Sequence, residues 1–463
     1  MSDTHNETRP RVVIIGGGFG GVAAAKALGH APVDVTLVDR MNHHLFQPLL
    51  YQVASGAVAP AECALPIRSL VKKQANTTVV MGDVDDLDVE NRKVLLDRGD
   101  ALDYDYLIVA AGAQTSYFGH DELGERSFGL KTLRDSVTLR DHVFSAFEEA
   151  ERAADPAQRD EWTNFVVVGG GATGVEVAGA LGIIAHSDLP REYRRVDCRA
   201  AKVILVDAGD RLVPAFDERL SAKLAQYLDG LGVTVRHHLR ATAVDEEGVT
   251  VQRGDGTSER IPARTVIWAA GVQAAPLASI LAKATGTETD RAGRLRINPD
   301  TTLPGHPEIF AVGDMTSLDG DDGKPLPGLA TTAIQQARHA GRAIIARLEG
   351  KDSTAPYKYF DKGALAVVGR GKAVCEVRGR KMSGRPAFFT YLGVHLFYLG
   401  GGTLGRLTIL SQWLSARFGK LEGRVIETSL PNGAKAEPTR FARDPSQPAT
   451  DAGAADTPIR SSR

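Results

Sequence analysis

The chain has 463 residues, 43% of them hydrophobic and 24% charged, with a formal net charge of −2. That length allows two or three domains with sizeable cores, and the near-neutral balance excludes nucleic acid as a bulk electrostatic partner. Three widely spaced cysteines, Cys63, Cys198 and Cys375, form neither a CxxC pair nor a zinc pattern, which suits a reducing compartment.

The first ten residues are polar and lack the apolar core of a signal peptide, and no run reaches the ~18–20 apolar residues of a membrane-spanning helix. A soluble, cytoplasmic body is expected. From Arg11, four apolar residues run into Gly16-x-Gly18-x-x-Gly21, and Val22 to Leu28 then reads as helix. Strand, glycine turn and helix N-terminus in that order form a dinucleotide cradle. The first glycine allows the tight turn, the second lets backbone approach a pyrophosphate, and the third lets helix and strand pack. The helix N-terminus offers unpaired N–H groups to the phosphates. A second strand, Val33 to Val38, ends at Asp39, where a carboxylate can accept from ribose hydroxyls. The contacts expected in this cradle are Gly16, Gly18, Phe19, Gly20, Gly21, Asp39 and Arg40.

His43 and His44 are adjacent and point apart, so no metal is expected there. Pro48 breaks any helix in His44–Ala54, leaving a loop that suits either a flat ring system or plain core packing. Strands are expected at Val79–Val84, Lys93–Leu96 and Tyr104–Gly112, with Val84, Ala111 and Gly112 close to the first cofactor. Asp135 to Ala154 reads as helix and Asp155 to Asp160 as a linker.

The opening pattern then returns. Asn164–Val168 is a strand, Gly169-x-Gly171-x-x-Gly174 a second cradle, and Val175–Ile184 its helix; a later strand again ends in an acid, Asp207. A polar insert, His186–Arg199, lengthens the gap as helix extension and loop. Even the closing strands echo each other, one ending at Gly112 and the other at Gly271. This internal repeat is the strongest signal in the chain. The second site would use Gly169, Gly171, Thr173, Gly174, Asp207 and Gly271. A carboxylate at Asp207 favours NADH over NADPH, because it would repel a 2′-phosphate, although Arg211 lies close by. Glu176, placed in the first turn of the second helix, is either favourable charge at the positive helix end or a group beside the stacked rings.

Glu308 to Asp314 is a short strand ending in Gly313-Asp314, again suited to a ligand, and Gly328 begins a helix continuing to Leu348. Tyr357–Val368 and Ala373–Val377 read as strands of a smaller unit. Phe388–Leu399 is apolar but only twelve residues long. In the segment after it, Leu407, Leu410, Leu414 and Phe418 share a helical face with Ile409 and Trp413 beside it, while Arg406, Gln412 and Arg417 fall toward the other. Such a helix packs on the protein itself or lies in a lipid headgroup layer. Beyond Pro431 the composition predicts disorder.

Two dinucleotide sites imply one resident and one exchanging cofactor: FAD in the first cradle with Gly313 and Asp314, and NADH in the second, passing hydride to the flavin. With no paired cysteines to receive them, electrons leave for an external acceptor: a quinone, a redox protein or oxygen. The alternatives kept open are a related flavoprotein reductase with a sulfide donor or a ferredoxin acceptor, and a redox sensor that binds NADH without turnover.

The chain resembles the type II NADH dehydrogenases, single-subunit NADH:quinone oxidoreductases that pump no protons, in their bacterial form. The resemblance covers roughly Arg11 to Arg424. It rests on Gly16–Gly21, His44–Ala54, Gly169–Glu176, Trp268–Gly271, Ala311–Asp314, Ala333–Gln336 and Asp361–Gly363. It implies an α/β fold with two Rossmann-like dinucleotide-binding domains and a small C-terminal membrane-docking region. The implied boundaries are FAD domain 8–160 and 286–350, inserted NADH domain 161–285, C-terminal domain 351–430 and tail 431–463. It also implies Glu176, Gln335 and Lys362 as catalytic residues and Thr331, Ile334 and Gln335 at the quinone. Thr331 departs from the family motif, which carries glutamine there. The implied partners are a quinone (menaquinone or ubiquinone), the membrane surface on its cytoplasmic face, and a second copy of the chain as an option.

Overall fold

The computed structural model describes residues 9–321, 323–351, 355–399, 402–417 and 426. Phe418 and the tail 431–463 lie outside the described residues. β1 (Arg11–Ile15) leads through α1 (Phe19–Leu28) to β2 (Asp34–Asp39), and β3 (Thr77–Met81) and β4 (Tyr106–Val109) follow, all parallel in the spatial order β4-β1-β2-β3. Side chains alternate between two cores, as a strand covered on both faces requires. Val12 and Ile14 pack toward α1, while Val13 and Ile15 pack into the opposite layer with Tyr104 and Leu107. Order reverses on either side of β1, which puts the ligand crevice at its carboxyl end.

Two local expectations change here. Pro48 does not prevent a helix: it sits in the first positions of a single turn, Gln47–Leu49, which runs into α2 (Leu50–Ala54). A missing N–H costs nothing at a helix start. The strand expected over Val79–Val84 ends at Met81, and Val84 opens a separate antiparallel sheet with Lys93–Leu96.

Ala113–Thr115 leaves the first module and pairs antiparallel with Val272–Ala274, which returns to it. Between them stand α3 (Leu133–Arg152) and α4 (Pro156–Thr163). The latter replaces the expected linker: Asp155 caps Ala157 N–H at 3.0 Å and Pro156 opens the helix. The second module repeats the first. β5 (Asn164–Val168), α5 (Ala172–Ile183), β6 (Lys202–Val206), β7 (Val233–Arg236) and β8 (Thr265–Trp268) build a parallel sheet in the order β7-β6-β5-β8. After the return, α6 (Pro276–Thr285) buries Leu277 and Leu281 in the first module's core. β9 (Thr302–Leu303) and β10 (His306–Ala311) complete the first sheet beside β4, and α7 (Ala330–Leu348) packs along α1.

The C-terminal unit is an antiparallel sheet of β11 (Ala364–Gly369), β12 (Lys372–Val377) and β13 (Arg380–Ser383), covered by α8 (Arg385–Tyr398) and followed by α9 (Gly402–Arg417). Tyr357–Gly363 is not strand, contrary to expectation; it crosses α7 as irregular chain. The sheet sits directly on α5, where a Cβ on Gly179 would stand 2.0 Å from Val368 O. The inward face of α9 also differs from expectation. Ile409 is fully buried and Gln412 Oε1 accepts from Ala59 N–H at 3.1 Å, whereas Leu407 and Leu414 are 56% and 53% exposed. No described helix is long and apolar enough to cross a membrane.

Candidate functional site

Each cradle begins where a central strand ends. Gly16 and Gly169 have φ of +100° and +111°, backbone that favours glycine. A Cβ on Gly21 or Gly174 would stand 1.7 Å or 1.9 Å from the carbonyl oxygen of Gly16 or Gly169, so helix and turn touch there. The middle glycines behave differently. At exposed Gly18 and Gly171 a Cβ would meet no protein atom within 4 Å. Nothing in the protein needs glycine at these two places; a ligand passing close to backbone would. Both residues cap helices without a side-chain cap bond, leaving the first N–H groups of α1 and α5 to an anion.

The acids repeat as closely. Gly17 N–H donates to Asp39 Oδ2 at 2.5 Å and Met41 N–H to Oδ1 at 2.6 Å. Gly170 N–H donates to Asp207 Oδ2 at 2.5 Å and Gly209 N–H to Oδ1 at 2.8 Å. The two carboxylates therefore hold the glycine loops in shape, and each oxygen keeps lone-pair capacity for a ribose hydroxyl. Burial pushes the Asp39 carboxyl above its ordinary range, opposed by its two amide donors and by exposed Arg40. These contacts make each acid a structural part of its cradle.

Other expected residues gather around the first cradle. Phe19 meets the His44 ring edge-on at 4.9 Å, and His44 Nδ1 donates to Gly17 O at 2.9 Å; burial keeps this imidazole neutral by lowering its pKa. A Cβ on Gly20 would lie 3.2 Å from Val312, and Gly313 N–H donates to Gln336 Oε1 at 2.7 Å, so the Gly313-Asp314 turn is tied to α7 beside the first cradle. Val84 and Ala111 rest half-buried on one core, and Gly112 O accepts from Ala275 N–H. At the second site Thr173 is exposed near the start of α5. Over Gly271 lies Phe118, 66% exposed with φ of 56°, which sequence reading did not anticipate.

Glu176 belongs to the second turn of α5, not the first, since the cap is Gly171 and no acid occupies the first turn. The helix-end charge reading therefore fails. Its carboxyl faces the C-terminal sheet within reach of Val367 N–H, and burial pushes it up to about 8, so it holds a proton near neutrality. Gln335 is fully engaged: Nε2 donates to Thr331 O and Phe360 O, and Oε1 accepts from Phe360 N–H, with the two Phe360 bonds at 3.0 Å. It clamps the chain two residues before Lys362, whose Nζ donates to Tyr398 OH at 2.8 Å. Ile334 is buried in the first core, and the buried Tyr359 hydroxyl lies against the Thr331 and Thr332 side chains of α7.

A further polar cluster escaped sequence reading. Gln52 Nε2 lies 2.9 Å from Tyr51 OH and 3.3 Å from Tyr391 OH, the two hydroxyls lie 3.3 Å apart, and Trp413 Nε1 donates to Gln52 Oε1 at 2.6 Å. Glu176 acts electrostatically on both tyrosines. The three cysteines are buried and free; burial raises Cys63 to about 12 and Cys198 to about 11, and Cys375 is raised as well. None is a thiolate near neutrality, which leaves no internal dithiol acceptor.

Residues 10–337 match the family model described as pyridine nucleotide-disulphide oxidoreductase. A curated relative, the type II NADH:quinone oxidoreductase Ndh of Mycobacterium tuberculosis, is 43% identical over 89% of this chain and 90% of its own length. Staphylococcus haemolyticus has a type II NADH:quinone oxidoreductase 28% identical over 83% of this chain and 93% of its own. Among solved structures, NDH2 from Plasmodium falciparum in complex with NADH has the same fold at a TM-score of 0.82 and 18% identity, covering 91% of this chain and all of that one. The sulfide:quinone oxidoreductase of Aquifex aeolicus is also similar, with a TM-score of 0.69 at 17% identity over 90% of this chain and 96% of that one.

Proposed function

Because the chain belongs to the pyridine nucleotide-disulphide oxidoreductase family, and within it to the type II NADH:quinone oxidoreductases, we propose that FAD occupies the first cradle and NADH the second, with a membrane quinone as acceptor. The observation that carries this reading is the doubled cradle: two open middle glycines, two uncapped helix ends and two acids bonded to the same loop position at 2.5 Å. Bound flavin supplies the redox chemistry, taking hydride from NADH and releasing two electrons. The chain's own residues do the rest. Asp207 receives the nucleotide's ribose and favours NADH over NADPH. Glu176, protonated near pH 7, stores a proton where the second module meets the C-terminal sheet. Gln335 acts on the quinone side by holding Phe360 and thereby placing Lys362, whose ammonium favours the negative charge that develops on a reduced quinone oxygen.

Membrane docking through α8 and α9 belongs to the same reading. Phe389, Phe397, Leu407 and Leu414 are between 53% and 71% exposed, an apolar concentration that water does not favour and a headgroup layer does. With NADH drawn from the cytoplasm, the enzyme sits on that face. The testing experiment is anaerobic addition of NADH to the flavin-loaded protein, followed by a soluble menaquinone or ubiquinone analogue. Bleaching of the flavin band and its recovery on quinone addition are expected. Bleaching without recovery would point to a protein acceptor, and no bleaching to a redox sensor.

A further inference from the structure

α7 turns Gln335, Arg338, His339 and Arg342 to one side, because positions three, four and seven residues apart share a helical face. Opposite that face runs the irregular chain 355–358, and between the two lies a cavity of about 540 Å³. Its charges are of one sign. Arg338, Arg342 and Lys358 line it and are exposed, and among the described residues none of the three makes a hydrogen bond or ion pair. No acid lines it. Asp300 reaches His339 electrostatically, but its carboxylate is held by Thr302 and lies 3.9 Å from Arg347.

The positive surface continues across the helix pair. Burial, and then the Arg338 charge, lower the Lys26 ammonium of α1, so like charges face each other across the contact between α1 and α7. Lys26 in turn shares a neighbouring cavity of about 320 Å³ with His30, Lys72 and Lys73, again without an acid. In a chain whose net charge is −2, cations gathered this way repel one another until an anion from outside offsets them.

We propose that the larger cavity is a headgroup site for an acidic glycerophospholipid, whose phosphate is held between Arg338, Arg342 and Lys358. The inference rests on the membrane-docking reading above and adds a charged site to its apolar helices. Guanidinium forks match phosphate oxygens in pairs, and the lysine adds a point charge. Two observations favour a lipid over a free phosphate. Ala343, Ala346 and Pro356 give the cavity small apolar walls, which suit a glycerol and the first acyl carbons and offer a bare phosphate nothing. The docking helices also adjoin it: Tyr398, at the end of α8, packs on the α1–α7 core and accepts from Lys362. Gln335 borders the cavity as well, about 10 Å along the helix from Arg342. A lipid phosphate here therefore sets the Phe360 clamp, on the quinone side, at headgroup depth.

The test titrates the full-length, flavin-loaded protein with vesicles of phosphatidylcholine, alone or mixed with phosphatidylglycerol. Wild type should bind the acidic vesicles more tightly. Arg338→Gln combined with Arg342→Gln removes two charges, each worth about fivefold beside an anionic surface. Affinity for acidic vesicles should therefore fall about twentyfold, while affinity for neutral ones, which rests on the apolar helices, stays unchanged. Lys358→Gln alone should lose about fivefold. All three side chains are exposed, so melting should match wild type. A charge-matched control, Arg194→Gln with Arg195→Gln on the exposed surface of the second module, should bind as wild type does. An equal loss in that control would overturn the site in favour of diffuse charge. Inorganic phosphate, titrated against potassium chloride at matched ionic strength, separates the sources. Phosphate that binds wild type but not the double variant, with vesicle affinity unaltered, would assign the cavity to a soluble anion and overturn the lipid. Wild type that binds neither vesicle sinks the docking reading and this inference together; equal binding to both sinks this inference alone.

Discussion

Asp207 Oδ2 accepts the Gly170 N–H at 2.5 Å, so the residue proposed to select the nucleotide also shapes the glycine loop of its cradle. Asp207→Ala removes both roles. NADH should lose about tenfold in KM, equivalent to ~1.4 kcal/mol, while NADPH loses less because a repulsive charge goes with the contact. The NADH-to-NADPH preference therefore narrows in steady-state kinetics. An unchanged preference would reject the ribose role.

The glycines of one cradle should separate cleanly. Gly18→Ala adds a methyl into space free of protein atoms, so the apoprotein should melt within about 1–2 °C of wild type while its flavin content falls. Gly21→Ala instead drives a Cβ to 1.7 Å from Gly16 O, and the fold itself should suffer. Absorbance at 450 nm per protein and calorimetry of the stripped protein distinguish the two.

Glu176 gives a pH signature. Its folded carboxyl titrates at about 8 against an ordinary 4.5, raised by burial. Stability linked to it is complete below about pH 4.5 and drains away as pH rises through about 8, because the unfolded chain ionises first. Glu176→Gln should melt higher than wild type at pH 8 and close to it at pH 5. A melting difference independent of pH would contradict the buried, protonated state.

Gln335→Ala frees Phe360 and with it the placement of Lys362. KM for a quinone analogue should rise several-fold, with NADH-driven flavin bleaching unaltered. A change confined to bleaching would move Gln335 to the other half-reaction.

Deleting everything after Pro386 would be a poor test of membrane docking, since Ala387 and Tyr391 are core residues of the C-terminal unit. Glutamates at Phe389, Phe397, Leu407 and Leu414 together leave that core intact. Flotation with anionic vesicles should be lost while NADH still bleaches the flavin; retained flotation would place the lipid contact elsewhere.

Both cradles, their acids and their order were legible in the sequence, because a strand–glycine–helix unit is local and its spacing carries its geometry. Boundaries were less so. Asp155-Pro156 read as linker although it starts a helix, and Pro48 read as a breaker although it stands where a helix tolerates it. Glu176 was found by its position after the second cradle, yet its protonation follows from burial against β11, which no neighbour in sequence supplies.

By itself, the sequence determined that two strand–glycine–helix cradles exist and which glycines and acids build each of them. Only the tertiary structure decided what else those residues do. Gln335 became a backbone clamp because Phe360 folds back across α7, and Tyr51, Gln52, Tyr391 and Trp413 became one polar cluster although up to 362 positions separate them. Hydrogen-bond partners so far apart leave no periodicity to read; they are chosen by which apolar faces pack, and packing is a property of the whole chain.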